Sequence, residues 1–288
     1  MNLKAYLTLL RPANVITALA DILAGMAIVG FVWKDNTPIF LFLSTICLYG
    51  GGVVLNDYFD VVIDTKERPE RPIPSGKVSK HSALLFGNIL LGLGLLFSFL
   101  YQTQSGWIVC FIILAILTYN RFAKHHPVLG PVVMGLCRGG NLVLGMSLVT
   151  NIESNRLFLS LFPILYIAAI TMISRDEVHG GKKTNLVLAG VLYLIVIFSQ
   201  LALSFFLGNF YYSFPFGLLH LGMIFPPLVA AYKNPIGPNI GKAVKMGVIS
   251  LIILNTSFAS SFGFVFVAFL ILCLLPVSLL LAKYFSVT

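Results

Sequence analysis

Three aspartates, Asp57, Asp60 and Asp64, recur at i, i+3 and i+7. On a helix they share one face, within about 60° of its circumference. Three carboxylates held that closely repel one another unless a cation lies among them. Hard oxygen ligands at this spacing suit Mg2+, which binds a few carboxylates, several waters and a substrate phosphate. Asn56 flanks the same face, and Arg68 and Arg71 follow directly. Arginine pairs phosphate oxygens bidentately, so these two are placed to hold the anion that such a metal would carry. Pro69, Pro72, Pro74 and Gly76 then stop the helix and shape a loop. The plain alternative is a solvated helix end with scattered salt bridges.

A second charged segment reads Arg175, Asp176, Glu177, His179, Lys182 and Lys183. Of the ten Asp and Glu in the chain, seven lie in these two segments. Asp176 and Glu177 are adjacent, so on a helix they point about 100° apart. Arg175, Lys182 and Lys183 are further candidate phosphate contacts. His179 reads as a loop or capping residue. Asp21 falls in an apolar run and needs a polar partner or a water-filled cavity.

The elements that must carry these groups are membrane helices. The 288 residues are 58% hydrophobic and 10% charged, with a mean hydropathy of +0.94. Soluble domains carry about 25% charge. Candidate spans are 13–33, 38–56, 83–101, 106–121, 128–149, 157–174, 186–207, 213–231, 244–260 and 263–283. Each approaches the ~20 residues that cross ~30 Å of hydrocarbon. The ninth carries Asn255, Thr256, Ser257, Ser260 and Ser261 and is the weakest. The expectation is an all-α, polytopic bundle of nine or ten transmembrane helices, in one domain over residues 1–288.

Charge sets the expected topology. With the N-terminus inside, Lys4, Arg11, Lys66, Arg68, Arg71, Lys77, Lys80, Arg121, Lys124, Arg175, Lys182, Lys183, Lys233, Lys242 and Lys245 are all cytoplasmic. The opposite side receives only Lys34 and Arg156. The net charge of +9 therefore answers to membrane orientation and anionic lipid, not to nucleic acid. Cys47, Cys110, Cys137 and Cys273 are scattered without metal-binding spacing. Arg138 and Asn141 fall inside the fifth span, so they face the bundle interior.

The string N-D-x-x-D-x-x-x-D from Asn56 to Asp64, followed by R-x-x-R-P-I-x-S-G from Arg68 to Gly76, resembles the first signature of the UbiA prenyltransferase family. Arg11-Pro12 with Asn14 resembles the family's first-helix R-P-x-N. Tyr119-Asn120 with Lys124 resembles its Y-[ST]-x-x-x-K loop, with Asn in place of the hydroxyl residue. The resemblance runs from about residue 8 to residue 190.

That resemblance implies a Mg2+-dependent prenyltransferase. Its prenyl diphosphate donor ionises, and the allylic cation alkylates an acceptor that the sequence does not identify. It implies metal contacts at Asp57, Asp60, Asp64 and Glu177, with Asp176 beside them in catalysis. Donor and acceptor contacts would fall at Asn14, Asn56, Arg68, Arg71, Tyr119, Lys124, Arg138, Arg175 and Lys182.

The second segment departs from the pattern. The family places D-x-x-x-D there, followed by a G-x-K-x-T-like stretch. Aligned on Gly181 and Thr184, Glu177 takes the second acidic position and Ile173 the first. On this alignment, aspartate at position 173 would tighten Mg2+ and diphosphate binding. The run from Ser174 to Gly181 is similar to an EboC-like branch of the family. The alternative reading is a UbiA-like protein that binds or helps export an isoprenoid without transferring it. A CDP-alcohol phosphotransferase is excluded by its missing D-G-x-x-A-R core. Two acidic loops on one side argue against the inverted repeats of a transporter.

Overall fold

The computed structural model describes residues 2–31, 38–178, 180–285 and 287. Lys34, Asp35 and His179 lie outside them. In chain order the helices are α1 (Leu3–Leu10), α2 (Pro12–Ile28), α3 (Ile39–Phe59), α4 (Val61–Glu67), α5 (Lys80–Tyr101) and α6 (Thr103–Thr118). A π-turn over Tyr119–Ala123 extends α6. There follow α7 (Leu129–Met146), α8 (Ser154–Leu157), α9 (Leu161–Ser174), α10 (Lys183–Phe206) and α11 (Phe210–Lys233). The chain ends in α12 (Gly237–Ile249), α13 (Leu251–Ser261), α14 (Val265–Leu272) and α15 (Leu274–Tyr284). Among the described residues nine helical segments are long and apolar enough to cross a membrane, or ten if α1 and α2 count as one bent span. This matches the expected nine or ten.

The first span has an origin that hydropathy does not show. Arg11 adopts the left-handed conformation at φ 48°, the one positive-φ non-glycine among the described residues. Pro12 restarts the helix at its first position, where a missing N–H costs nothing. The result is a 45° bend between α1 and α2. The short α1 begins at Asn2, whose side chain accepts the Ala5 N–H at 3.2 Å. It packs Ala5 and Leu9 inward and leaves Leu3 and Leu7 exposed.

The polar ninth span is the most enclosed of the nine, with 83% of its apolar window buried inside the bundle. Its serines turn back on their own helix: Ser260 and Ser261 both donate to Ser257 O. Asn255 bonds Asp21 on α2. Sequence polarity reads as weakness here, yet it marks a helix surrounded by other helices.

Close backbone approach joins α2 to α7. A Cβ at Gly25 would run into the backbone at Leu142, and one at Gly145 into the backbone at Ile22. Small residues that let helices touch are a main source of association where lipid removes the hydrophobic drive. That contact fixes α7, and with it Arg138 and Asn141, against α2.

Candidate active site

A cavity of about 560 Å³ opens at the end of the bundle where the basic residues gather. Its mouth carries Asp60, Asp64, Arg68, Arg71, Lys124 and Glu177. Its interior is aliphatic, with Leu48, Ile112, Ile116, Ile167, Ile170 and Leu251. The site is thus charged at the entrance and oily within, the arrangement that an amphiphile with an anionic head requires.

The aspartate face survives a break in its helix. α3 ends at Phe59, Asp60 is a turn, and α4 starts at Val61. Asp60 N–H still donates to Asn56 O at 3.0 Å, and Asp64 N–H to Asp60 O at 2.8 Å. Helical register therefore passes through the turn, and the three carboxylates keep to one side.

Each acid meets a base. Arg11 Nη2 lies 2.8 Å from Asp57 Oδ1. Arg71 Nη1 lies 2.7 Å from Asp64 Oδ2 and 3.4 Å from Asp57 Oδ1. Lys124 Nζ bonds Asp60 Oδ2. Arg68 Nη2 lies 3.5 Å from Glu177 Oε2. Burial pushes the Asp64 carboxyl above its ordinary range, against the pull of Arg71. Burial also lowers the Lys124 ammonium, and Asp60 opposes that shift.

These pairs correct one expectation. Asp57, Asp60, Asp64 and Glu177 do not converge on a single point. Among the described residues no three acidic, histidine or cysteine side chains stand close enough to hold a metal. The physical reason is that cations from different elements hold them: Asp57 and Asp64 share Arg71, Asp57 also meets Arg11, and Lys124 and Arg68 draw Asp60 and Glu177 elsewhere. Their chemistry nevertheless fits a hard divalent ion. The acids at the mouth, Asp60, Asp64, Glu67 and Glu177, offer only oxygen, and every base beside them can pair with phosphate instead.

Other expected residues divide. Asn14, Asn56, Tyr119, Arg138 and Arg175 all line the cavity. Asn56 Nδ2 donates to Asn120 Oδ1 at 3.0 Å, and Asn120 to Gly52 O at 3.3 Å. So Asn120 braces α3 where the resemblance expected a hydroxyl. The π-turn, closed by Lys124 N–H to Tyr119 O at 3.0 Å, aims Lys124 back into the mouth. Arg175 Nη2 donates to the carbonyls of Lys124 and His126 at 2.9 and 2.5 Å, which ties that turn to α9. Asp176 and Lys182 do not line the cavity: Asp176 accepts from Asn185 at 3.0 Å, and Lys182 is exposed at the start of α10.

Ile173 is also displaced from its expected role. It is fully buried in the core and does not line the cavity. Ser174, one residue on, does. A 100° step on α9 separates the two.

Deeper, a buried network spans α2, α7 and α13. Arg138 Nε stands 2.6 Å from Asp21 Oδ2, and its Nη2 donates to Thr17 Oγ1 at 2.8 Å. Asn141 and Asn255 donate to the two Asp21 oxygens at 2.9 and 2.7 Å. This supplies the partner that an acid inside a span demands.

Arg11 is the residue that motif reading underused. It lines the cavity and holds Asp57, and its Arg-Pro pairing was the available signal.

The sequence profile of the UbiA prenyltransferase family matches residues 18–235. The chain belongs to the UbiA prenyltransferase family. It is an integral, multi-pass membrane prenyltransferase. Among curated proteins it is similar to a digeranylgeranylglyceryl phosphate synthase of Methanothrix thermoacetophila, 30% identical over 66% of this chain and 77% of that protein. Another of that name, from Sulfolobus acidocaldarius, is 29% identical over 78% of this chain and 86% of the relative. Solved structures share the fold. One from work on digeranylgeranylglyceryl phosphate synthase superposes with a TM-score of 0.65 at 23% identity, covering 90% of this chain and 98% of that one. The UbiA homolog from Archaeoglobus fulgidus bound to GPP and Mg2+ gives 0.60 at 15% identity, covering 93% and 99%.

Proposed function

We propose that this protein, working as one UbiA-like unit, moves the prenyl group of a prenyl diphosphate onto a hydroxyl of an amphiphilic acceptor, with Mg2+. The observation that carries this reading is the cavity itself, charged at its mouth and aliphatic within. The related synthases named above support an acceptor of the glyceryl phosphate type.

Once freed from their present cations and drawn together, Asp60, Asp64 and Glu177 at the mouth, with Asp57 on the same helix face as the other aspartates, are the carboxylates that would hold Mg2+. The metal would neutralise the diphosphate and stabilise it as a leaving group. Arg68, Arg71 and Lys124 would exchange their present carboxylates for diphosphate oxygens, a swap of like for like in charge. With the head so held, the bond from the first prenyl carbon to the diphosphate oxygen breaks, and its electron pair leaves with the diphosphate. The aliphatic interior keeps water from the allylic cation. The acceptor oxygen forms the new C–O bond and gives its proton to the departing diphosphate.

Asn14 supports an acceptor position beside the donor. Its Nδ2 donates to Val287 O at 2.7 Å. Its Oδ1 is buried and has no hydrogen-bond partner among the described residues. A buried acceptor atom of this kind favours a ligand hydroxyl. We place the N-terminus and both acidic segments in the cytoplasm, because the basic residues share that end.

The test is Mg2+-dependent diphosphate release. Purified protein in lipid is incubated with geranyl, farnesyl or geranylgeranyl diphosphate and a prenyl glyceryl phosphate. Release that is lost in Asp57→Ala supports transfer. Tight Mg2+-dependent binding without release would replace it with a binding protein.

A further inference from the structure

A second cavity, of about 410 Å³, lies between α1 and the proline-rich turn after α4. Most of the residues that line it are charged or polar, unlike those of the aliphatic chamber. Five basic side chains line it against two acidic ones. Arg11, Arg68 and Arg71 border both cavities, so they form a shared wall. Lys4 and Lys77 belong to the second cavity alone. Neither has an ion-pair partner among the described residues, whereas Asp57 is already engaged by Arg11 and Arg71.

The position of this cavity is as informative as its charge. α1 turns Leu3 and Leu7 outward, 64% and 37% exposed, at the end of the bundle where the basic residues gather. A short helix that turns leucines outward beside Lys4 suits the membrane surface. On that placement the cavity behind it would sit at headgroup depth. The bend at Arg11 opens the space, because a straight α1–α2 helix would carry α1 away from the turn at Arg71.

We propose that this second cavity is an anion site for a phosphomonoester headgroup, distinct from the diphosphate mouth. It rests on the proposed transfer only in that its ligand would be the acceptor. Lys4 and Lys77 clasp the phosphate from the surface, and Arg11, the shared arginine not committed to the diphosphate, meets it from within. The lipid-borne hydroxyl then reaches over the Arg11–Asp57 wall toward the donor.

Binding without donor or Mg2+ tests this apart from catalysis. Protein in zwitterionic nanodiscs is titrated with a single-chain prenyl glyceryl phosphate, with the same prenyl glycerol lacking phosphate, and with inorganic phosphate. The phosphorylated amphiphile is expected to bind about tenfold or more tighter than the neutral one, the size of one charge-assisted contact. Lys4→Gln with Lys77→Gln removes that preference, and Lys4→Arg with Lys77→Arg keeps it. Prenyl diphosphate binding with Mg2+ stays unchanged in both. Inorganic phosphate binding as tightly as the amphiphile would support an anion site fed by free phosphate. Equal affinity for phosphorylated and neutral amphiphiles overturns the proposal. So does a parallel loss of prenyl diphosphate binding, which would make the cavity a vestibule of the donor site. Failure of the transfer reading shows separately, as absent diphosphate release.

Discussion

Arg68 Nη2 lies 3.5 Å from Glu177 Oε2, and this contact joins the two acidic segments across the cavity mouth. Both side chains are largely sheltered, at 28% and 15% exposure, so the contact is more than a surface pair. If Arg68 serves the diphosphate and Glu177 the metal, the two work on one ligand. Glu177→Gln and Arg68→Gln should each weaken Mg2+-dependent prenyl diphosphate binding about tenfold, by losing one charged contact. The double variant should lose less than the product, since partners in one network are not additive. A double-mutant cycle by calorimetry checks this. Full additivity would separate the two residues.

Asp60 and Lys124 form the second test. Asp60→Asn keeps size but removes charge, and it is expected to abolish Mg2+-dependent ligand binding. Chelation of Mg2+ from the wild type should give the same loss. Lys124→Met should instead raise the apparent Kd for prenyl diphosphate about tenfold while Mg2+ still matters. Wild-type affinity in Asp60→Asn would remove it from the metal set.

The second motif gives a prediction that reverses the alignment. Ile173→Asp places a carboxylate in a dry core, where an unpaired charge costs on the order of 3 kcal/mol. It should lower thermal stability and leave Mg2+ affinity unchanged. Ser174→Asp puts the carboxylate into the cavity beside Glu177 and should raise Mg2+ affinity several-fold. Thermal unfolding and Mg2+ titration of both variants separate them. Tighter Mg2+ binding in Ile173→Asp would restore the alignment.

That reversal shows where sequence reading ends. The i, i+3, i+7 aspartates and the membrane spans follow from periodicity and composition, which local geometry preserves. Which side of α9 meets the cavity depends on helix rotation, and a uniformly apolar helix carries no marker of it. The pairing of Asp21 with Arg138 was legible only as a need, because the partner arrives from another helix. The left-handed Arg11 was hidden for a different reason: a bend before proline looks the same in sequence as an ordinary helix start. The second cavity follows from that bend, so its lysines read only as topology signals.

The Asp21–Arg138 pair makes the last prediction. Both side chains are nearly inaccessible, at 1% and 6% exposure, and the network around them satisfies both Asp21 oxygens. Removing one partner strands the other charge in a helical bundle. Arg138→Met should therefore destabilise by about 3–5 kcal/mol. Asp21→Asn should cost a similar amount. The double variant Asp21→Asn with Arg138→Met removes both charges, and most of the loss should return, since a buried pair contributes little net stability over apolar packing. Activity separates structure from function here. Arg138 lines the cavity floor, so if it also orients the acceptor, the double variant regains its melting temperature but keeps a raised acceptor KM. Recovery of both would make the pair a purely structural clamp between α2 and α7.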